Sequence, residues 1–361
     1  MNDRDYMLRA IELAKKGAGF TNPNPLVGAV IVKDNRIIGE GYHQKYGELH
    51  AERNAIASLK ESAKGATIYV TLEPCCHYGK TPPCTEAIIS AEISKVVIGS
   101  RDPNPKVSGK GAQILREAGI EVVEDFLRDE CDKLNDIFFH YITTKTPYVV
   151  MKYAMTADGK IATKTGASKW ITGEEYRALV QKMRHRYAGI MVGIGTVLAD
   201  NPMLNTRVEG LTSPTRIIVD TNLRTPLDAN VVTTANEYAT IIAYNSGDEN
   251  KIKQLEQSGV TLVKCPLVDN HVDLKYLMNE IGERGIDSIL LEGGGTLNES
   301  ALESGIVNKL FVFVAPQIFG GEKSMSPVRG EGVDTPAESV KLKLVGVKQI
   351  DEDLLIEYNV R

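Results

Sequence analysis

A chain of 361 residues, 42% hydrophobic and 25% charged, exceeds what one ordinary domain needs and carries enough apolar content for two cores. Its net charge of −5, with Lys and Arg scattered along the chain, announces no large basic face and argues against a long nucleic-acid contact, but leaves room for a small anionic ligand. No run of about 18 apolar residues occurs and the N-terminus lacks a signal peptide's apolar core, which points to the cytosol and away from a membrane.

The chain opens on an amphipathic helix, with Met7, Ala10, Ile11 and Ala14 on one face. Ala29–Val32 and Ile37–Tyr42 read as a hairpin turning at Asp34-Asn35. A helix over Ala51–Lys60 follows, then a strand at Thr67–Thr71, a helix from Thr85, a strand at Lys95–Gly99, a helix over Gly111–Ala118 and a short strand at Glu121–Val123. A polar helix from Asp129 leads to Thr143–Pro147, the candidate linker, so the expected domains are 1–145 and 146–361. Beyond it come strands at Tyr148–Ala154, Gly189–Val192, Arg216–Asp220, Thr240–Ala243, Thr261–Val263, Ser288–Leu291 and Leu310–Ala315. Helices are expected over Glu174–Arg186, Leu274–Arg284 and Thr296–Ser304, with a terminal hairpin at Lys341–Gln349 and Asp353–Asn359. Both halves are α/β, and without an internal repeat they read as two different domains.

Three of the five cysteines lie within positions 75 to 84, a pattern of metal binding rather than of disulfides. His50 and Glu52 open one predicted helix, Cys75 follows a strand, and Cys84 starts the next helix. One imidazole and two thiolates give a catalytic zinc three protein ligands and leave a fourth position for water. Glu52, two residues from His50, is placed to carry that water's proton to a substrate nitrogen and to leaving ammonia, as hydrolytic deamination of an amidine-like ring carbon requires. Two other readings remain: a buried, unmetallated cysteine pair beside a surface histidine, and a structural zinc with His77 as its fourth ligand.

Deaminases usually space their cysteines as Pro-Cys-x-x-Cys, whereas eight residues separate Cys75 from Cys84. At that spacing, Thr21–Gly28, His50-Ala51-Glu52, Thr71–Cys84 and Arg101–Pro105 together resemble the bifunctional riboflavin-biosynthesis deaminase/reductases, over nearly the whole chain. One departure is Cys76, where the family leads one to expect serine. The resemblance implies a cytidine-deaminase-like three-layer domain that binds one zinc and removes the C2 amino group of a 2,5-diamino-6-ribosylaminopyrimidinone 5′-phosphate. It further implies a substrate site lined by Asn24, His43, His77, Lys80, Thr81 and Asn104. Lys80, in a Gly-Lys-Thr turn, suits a phosphate. Taken singly, Asn24 also reads as a turn-maker before Pro25, His43 as a satisfied surface histidine and Lys80 as a solvated cation.

Three loop features mark the second half. Lys152–Ala162 is followed by Ser168-Lys169-Trp170, whose tryptophan, the only one in the chain, also reads as a core anchor. Gly193-Ile194-Gly195-Thr196 follows a strand, with Leu198 where a dinucleotide fingerprint has its third glycine, so it is no Rossmann motif and alone reads equally as a tight turn. Glu292-Gly293-Gly294-Gly295-Thr296 passes from strand to helix as a phosphate cradle would.

In this order the three features resemble the reductase half of the same family, which implies a dihydrofolate-reductase-like α/β fold. The resemblance implies NADPH at Ala154, Trp170, Thr196, Asp200, Thr221 and Gly294, Gly295, Thr296, Leu297, Asn298, Glu299 and Ser300. Substrate would lie at Lys152, Ser168, Arg184, Leu204, Arg207 and Glu292, with hydride passing to C1′ to open the ribose to a ribityl chain. Arg184 and Arg207 suit phosphate by their fork of donors. The partners expected are therefore a phosphorylated pyrimidine and, by resemblance, further copies of the chain. A deaminase of nucleosides or RNA with an accessory nucleotide-binding domain, and a non-catalytic zinc-stabilised scaffold, are the rival readings.

Overall fold

In the computed structural model, which describes residues 1–79, 82–104 and 107–361, the chain divides between Lys145 and Thr146 into two units. The first contains α1 (Asp3–Lys15), β1 (Gly28–Lys33), β2 (Arg36–Tyr42), α2 (Ala51–Ala57), β3 (Thr67–Leu72), α3 (Cys84–Ser90), β4 (Lys95–Ser100), α4 (Lys110–Glu117), β5 (Glu121–Val123), α5 (Arg128–Asp132) and α6 (Asp136–Thr144). Its sheet runs β2-β1-β3-β4-β5, with β1 antiparallel to β2 and β3 and the rest parallel.

Strand alternation makes this sheet two-faced. Ala29 and Ile31 of β1 join Ala51, Ala55, Ile88, Ala112 and Leu115 in one buried cluster, while Val30 and Val32 join Met7, Ala10 and Ala14 of α1 in another. The result is three layers: α1 on one side, the sheet, and α2, α3 and α4 on the other. Gly41 lets α2 lie directly on β2, since a Cβ there would fall 2.2 Å from the Ala55 nitrogen.

Two elements differ from the sequence reading. Helix α2 stops at Ala57 because Ser58 turns its hydroxyl to the Ala55 carbonyl and accepts the Glu40 N–H of β2. The single helix expected from Asp129 is two, interrupted at Asn135, whose side-chain amide pairs with both backbone groups of Leu26 at 2.8 and 3.0 Å. Thr143 and Thr144 of the expected linker are the last turn of α6, and Lys145 caps it in the left-handed region at φ 63°.

The second unit contains β6 (Tyr148–Thr156), α7 (Glu174–Arg186), β7 (Gly189–Gly193), α8 (Ile194–Asp200), β8 (Thr215–Val219), α9 (Asn230–Thr233), β9 (Thr240–Tyr244), α10 (Glu249–Gln257) and β10 (Thr261–Lys264). It continues through β11 (Leu267–Val268), β12 (His271–Val272), α11 (Leu274–Glu283), β13 (Ser288–Leu291), α12 (Gly295–Glu303), β14 (Val307–Ala315), β15 (Leu342–Ile350) and β16 (Asp353–Val360). The large sheet runs β10-β9-β8-β7-β13-β6-β14-β16-β15, parallel as far as β14 and antiparallel beyond it. Met191 and Ile217 face one buried cluster, Ile190, Val192 and Ile218 the other. Helix α10, absent from the sequence reading, is held mainly by its Asp248 cap and by Leu255. Among the described residues, no helix is long and apolar enough to cross a membrane.

Candidate active sites

His50 caps the N-terminus of α2 and places Glu52 in the first turn of the same helix. Cys75 sits in the loop after β3, and Cys84 begins α3. His50 Nδ1 lies 3.4 Å from each sulfur, and the three ligand atoms lie within 4.8 Å of one another. Ligands about 2.0–2.3 Å from a tetrahedral zinc stand roughly 3.5–3.8 Å apart, so this donor set fits the ion. The Cys75 sulfur and burial push Cys84 up, while Cys84 and His50 hold Cys75 low. Among the described residues no fourth His, Cys, Asp or Glu joins the cluster; His77 is not part of it.

The surroundings fix this geometry. Arg53, one residue past Glu52, donates from Nε to the Pro82 carbonyl and from Nη2 to that of Pro83, 3.0 and 2.8 Å, which ties α2 to the segment entering Cys84. The Cys84 N–H donates to Cys75 Sγ at 3.3 Å and the Thr85 N–H to the Cys75 carbonyl at 3.2 Å. Glu73 accepts the N–H groups of Gly109, Gly111 and Ala112 and so docks the start of α4 against the Cys75 loop.

A cavity of about 330 Å³ opens over the cluster, lined by His50, Glu52 and Cys75 together with Asn24, His43, His77 and Asn104. Glu52 is 3% exposed, and burial pushes its carboxyl up to about 7. His43, whose sequence context also suited a surface residue, is buried: its Nδ1 donates to the Leu49 carbonyl at 3.1 Å, so its Nε2 accepts the Asn24 amide, also at 3.1 Å. Burial lowers the His43 pKa, which keeps this tautomer neutral. Lys80 and Thr81 lie outside the described residues.

Sequence reasoning passed over several lining residues. Asp102 is buried on the cavity wall, accepts the Asn104 N–H at 2.8 Å, and is raised by burial to about 6. Phe138, Tyr141 and Ile142 of α6 also line the wall; their i, i+3, i+4 spacing was the available signal.

In the second unit a cavity of about 720 Å³ lies at the carboxyl ends of the parallel strands, where ligands of open α/β sheets bind. Lys152, Ala154, Ser168, Thr196, Asp200, Thr221, Glu292, Gly294, Gly295, Thr296, Leu297 and Ser300 line it. At one end Glu292 pairs with Arg184 (Nε–Oε1 3.1 Å, Nη2–Oε2 2.9 Å) and lies 3.7 Å from Lys152 Nζ. Burial would raise the Glu292 carboxyl, but Lys152 and Arg184 hold it at about 2. In mid-cavity, a Cβ on Gly195 would meet nothing within 4 Å and one on Gly294 only the Thr196 hydroxyl, so both glycines face open space that a phosphate can fill. That cradle, at the start of α12, fits the pyrophosphate of a nicotinamide cofactor.

Six expected residues do not line this cavity. Trp170 is 67% exposed, so it is no core anchor, with the Arg177 guanidinium 4.7 Å from its ring centre. Arg184 stands behind Glu292, and its Nη1 donates to the Asn205 carbonyl. Leu204 is buried in the core with φ 53°, and Arg207 is exposed. Asn298 donates to the Pro327 carbonyl and Glu299 accepts the Gly332 N–H, both turned to the segment after β14. Arg224, Asn222 and Arg329 line the cavity without having been expected.

Residues 147–356 match the sequence model of a family described as the RibD C-terminal domain, and residues 1–100 that of the cytidine and deoxycytidylate deaminase zinc-binding region. The chain is 58% identical over 360 residues to the riboflavin biosynthesis protein RibD of Actinobacillus pleuropneumoniae, covering 100% of this chain and 96% of that one. It is 38% identical to the Escherichia coli K12 protein of the same description, covering 99% of both. Among solved structures, Acinetobacter baumannii RibD superposes with a TM-score of 0.89 at 38% identity, covering 99% of both chains. A diaminohydroxyphosphoribosylaminopyrimidine deaminase/5-amino-6-(5-phosphoribosylamino)uracil reductase from Thermotoga maritima does so with a TM-score of 0.86 at 40% identity, covering 99% of this chain and 98% of that one.

Proposed function

The chain belongs to the RibD family of riboflavin-biosynthesis enzymes, and from that premise we propose which of its residues carry each of its two reactions. It is a zinc-dependent deaminase and an NADPH-dependent reductase acting on a small phosphorylated pyrimidine. In our reading, residues 1–145 form the deaminase domain and 146–361 the reductase domain.

For deamination, zinc held by His50, Cys75 and Cys84 supplies the Lewis acidity that makes water nucleophilic near neutral pH. Glu52 takes a proton from the attacking water and gives it to the pyrimidine nitrogen, then carries the second proton, from the added hydroxyl, to the amino group that leaves as ammonia. His43 accepts one amide proton of Asn24 and so fixes that side chain toward the substrate, beside Asn104 and His77. Lys80 and Thr81 hold the 5′-phosphate.

For reduction, NADPH when bound would supply the hydride for C1′ of the ribosylamino group; the C1′–O4′ bond breaks, O4′ takes a proton from solvent, and the sugar becomes a ribityl chain. Gly294–Leu297, Ser300 and Thr196 would hold the cofactor's pyrophosphate, with Ala154, Asp200 and Thr221 along its length; Asn298, Glu299 and Trp170, outside the lining, are not assigned to it. Lys152 presents its charge beside the reacting sugar, oriented by Glu292, while Arg184 fixes Glu292 from behind. Ser168, which lines the same cavity, completes the substrate site, while Leu204 and Arg207, outside the lining, are not assigned to it.

The observation that carries this reading is that His50 and Cys75 of the metal-ligand cluster line one cavity with Glu52, while the glycine cradle and the Lys152–Glu292 pair line another. Incubation with the diaminopyrimidine ribosylamino phosphate, with products identified by mass, tests it. A gain of about one mass unit without NADPH, then two more with it, is expected. Deamination without reduction would leave the second unit a binding module; no reaction would favour a nucleoside deaminase.

The working form is a homo-oligomer in this proposal. Strand β15 at the sheet edge exposes Leu342, Leu344, Val345 and Val347, an apolar edge of the kind that a second chain covers. Sedimentation of the wild type and of Val347→Lys tests this, with a shift to monomer expected. Five free cysteines fit a reducing compartment, the cytoplasm.

A further inference from the structure

The reductase cavity crosses the sheet in an order that assigns its ends. Lys152 and Glu292, on β6 and just past β13, mark the reacting end, and Gly294–Thr296 mark the pyrophosphate. Strand β8 lies two places beyond β13, about 10 Å across the sheet at ordinary strand spacing. The loop leaving β8 therefore meets the adenosine ribose. In Rossmann sites an acid beside the adenosine ribose takes the 2′-hydroxyl of NADH and an arginine takes the 2′-phosphate of NADPH; this fold is different, but the same chemistry applies to whichever loop meets the ribose.

Here the acid is withdrawn. Asp220, the residue after β8, is fully buried and turns into its own loop, where one oxygen accepts both the N–H and the hydroxyl of Thr225 at 2.7 Å. The loop is rigid on its other side too. The Thr221 carbonyl accepts the N–H groups of Asn245 and Ser246, the Ser246 hydroxyl meets Asn222 at 3.2 Å, and Leu223 holds φ 51°. The side chains presented to the cavity are Thr221, Asn222 and Arg224. Arg224 is exposed, and among the described residues its guanidinium has neither an ion pair nor a hydrogen bond.

We propose that Arg224 distinguishes NADPH from NADH by pairing with the 2′-phosphate, an assignment that rests on the reductase cavity being the cofactor's. Arg329, the cavity's other arginine, has a different place. Its backbone N–H donates to the Gly295 carbonyl at 3.1 Å, at the start of α12. It serves the pyrophosphate that both cofactors share. Of the cavity's carboxylates, Glu292 is engaged with Lys152 and Arg184, and Asp200 stands at the end of α8.

Direct titration of the zinc-loaded full chain with NADPH, NADH, 2′,5′-ADP and 5′-ADP, by calorimetry, tests the assignment. Arg224→Ala weakens NADPH and 2′,5′-ADP roughly 10–100-fold and leaves NADH and 5′-ADP unchanged. Arg224→Glu reverses the order, so that NADH binds more tightly than NADPH. Arg329→Ala weakens both dinucleotides equally. A wild type that binds the two alike, an Arg224→Ala chain that keeps its preference, or an Arg224→Glu chain that still favours NADPH would overturn the proposal. Indifference to Arg329→Ala as well would overturn the cofactor's placement in this cavity.

Discussion

Arg184 reaches Glu292 across 108 positions of sequence and grips it with two parallel hydrogen bonds, Nε to Oε1 and Nη2 to Oε2. Both side chains are nearly enclosed, with 13% and 12% of their surface exposed, and Lys152 shares the carboxylate at 11%. Glu292→Gln strands two cations in a low-dielectric site. Breaking such a group by removing one partner costs about 3–5 kcal/mol. Denaturant unfolding of the variant shows a loss in that range, and its reductase activity falls with it.

The pH dependence of that loss has a definite sign. Glu292 sits at about 2 in the folded chain, below an unfolded carboxyl near ~4.3. Its contribution is complete above the unfolded value and disappears as pH falls toward the folded one. The stability gap between wild type and Glu292→Gln is therefore flat from about pH 5 to 8 and narrows below about pH 4. Unfolding curves collected across that range check it.

Glu52→Gln retains one zinc per chain and loses deamination by about 10²–10⁴-fold, the usual weight of a proton-transfer group. Metal content and turnover measured on one preparation separate this result from a scaffold role, in which only stability would change.

Arg53 touches no reacting atom, yet it pins Pro82 and Pro83 ahead of Cys84. Arg53→Ala weakens zinc roughly 10–100-fold, as loss of an outer partner of a metal site does. Competition with a chromogenic chelator measures the shift, and Arg53→Lys, which lacks the two-pronged geometry, recovers only part of it.

Thr196→Ala lowers reduction and leaves deamination near normal, because each cavity is lined within its own unit. Parallel assays on one variant decide the matter; equal loss of both activities would contradict separate sites.

The zinc ligands were legible because each occupies a local landmark: a helix cap, a strand exit and a helix start. Pattern and turn chemistry reveal such landmarks without tertiary information. Asp102 lay inside a motif already singled out, but nothing local says that its carboxylate is buried and its neighbour Asn104 anchored on it. The Arg184–Glu292 pair joins a helix to a strand end more than a hundred residues away, so no window of sequence contains it. Arg224 depended on a different absence. Asp220 is the acid in the expected place, and only the fold reveals that Thr225 has claimed it. Helix α10 was missed because one buried residue, Leu255, makes too faint a periodic signal.

The strand order also sets a timetable for synthesis. In the first unit, β1 pairs with β2 and β3, and β3 with β4, so the sheet assembles as it emerges from the ribosome. Strand β6 opens the second unit, but its neighbours are β13 and β14, the nearer of them roughly 130 residues downstream. At about 5–20 residues per second, the apolar run Val149-Val150-Met151 waits on the order of 7–26 s for its first partner. The nascent chain thus carries a first unit whose strands all have their partners, ahead of an uncovered strand, the stage at which chaperones have most to protect.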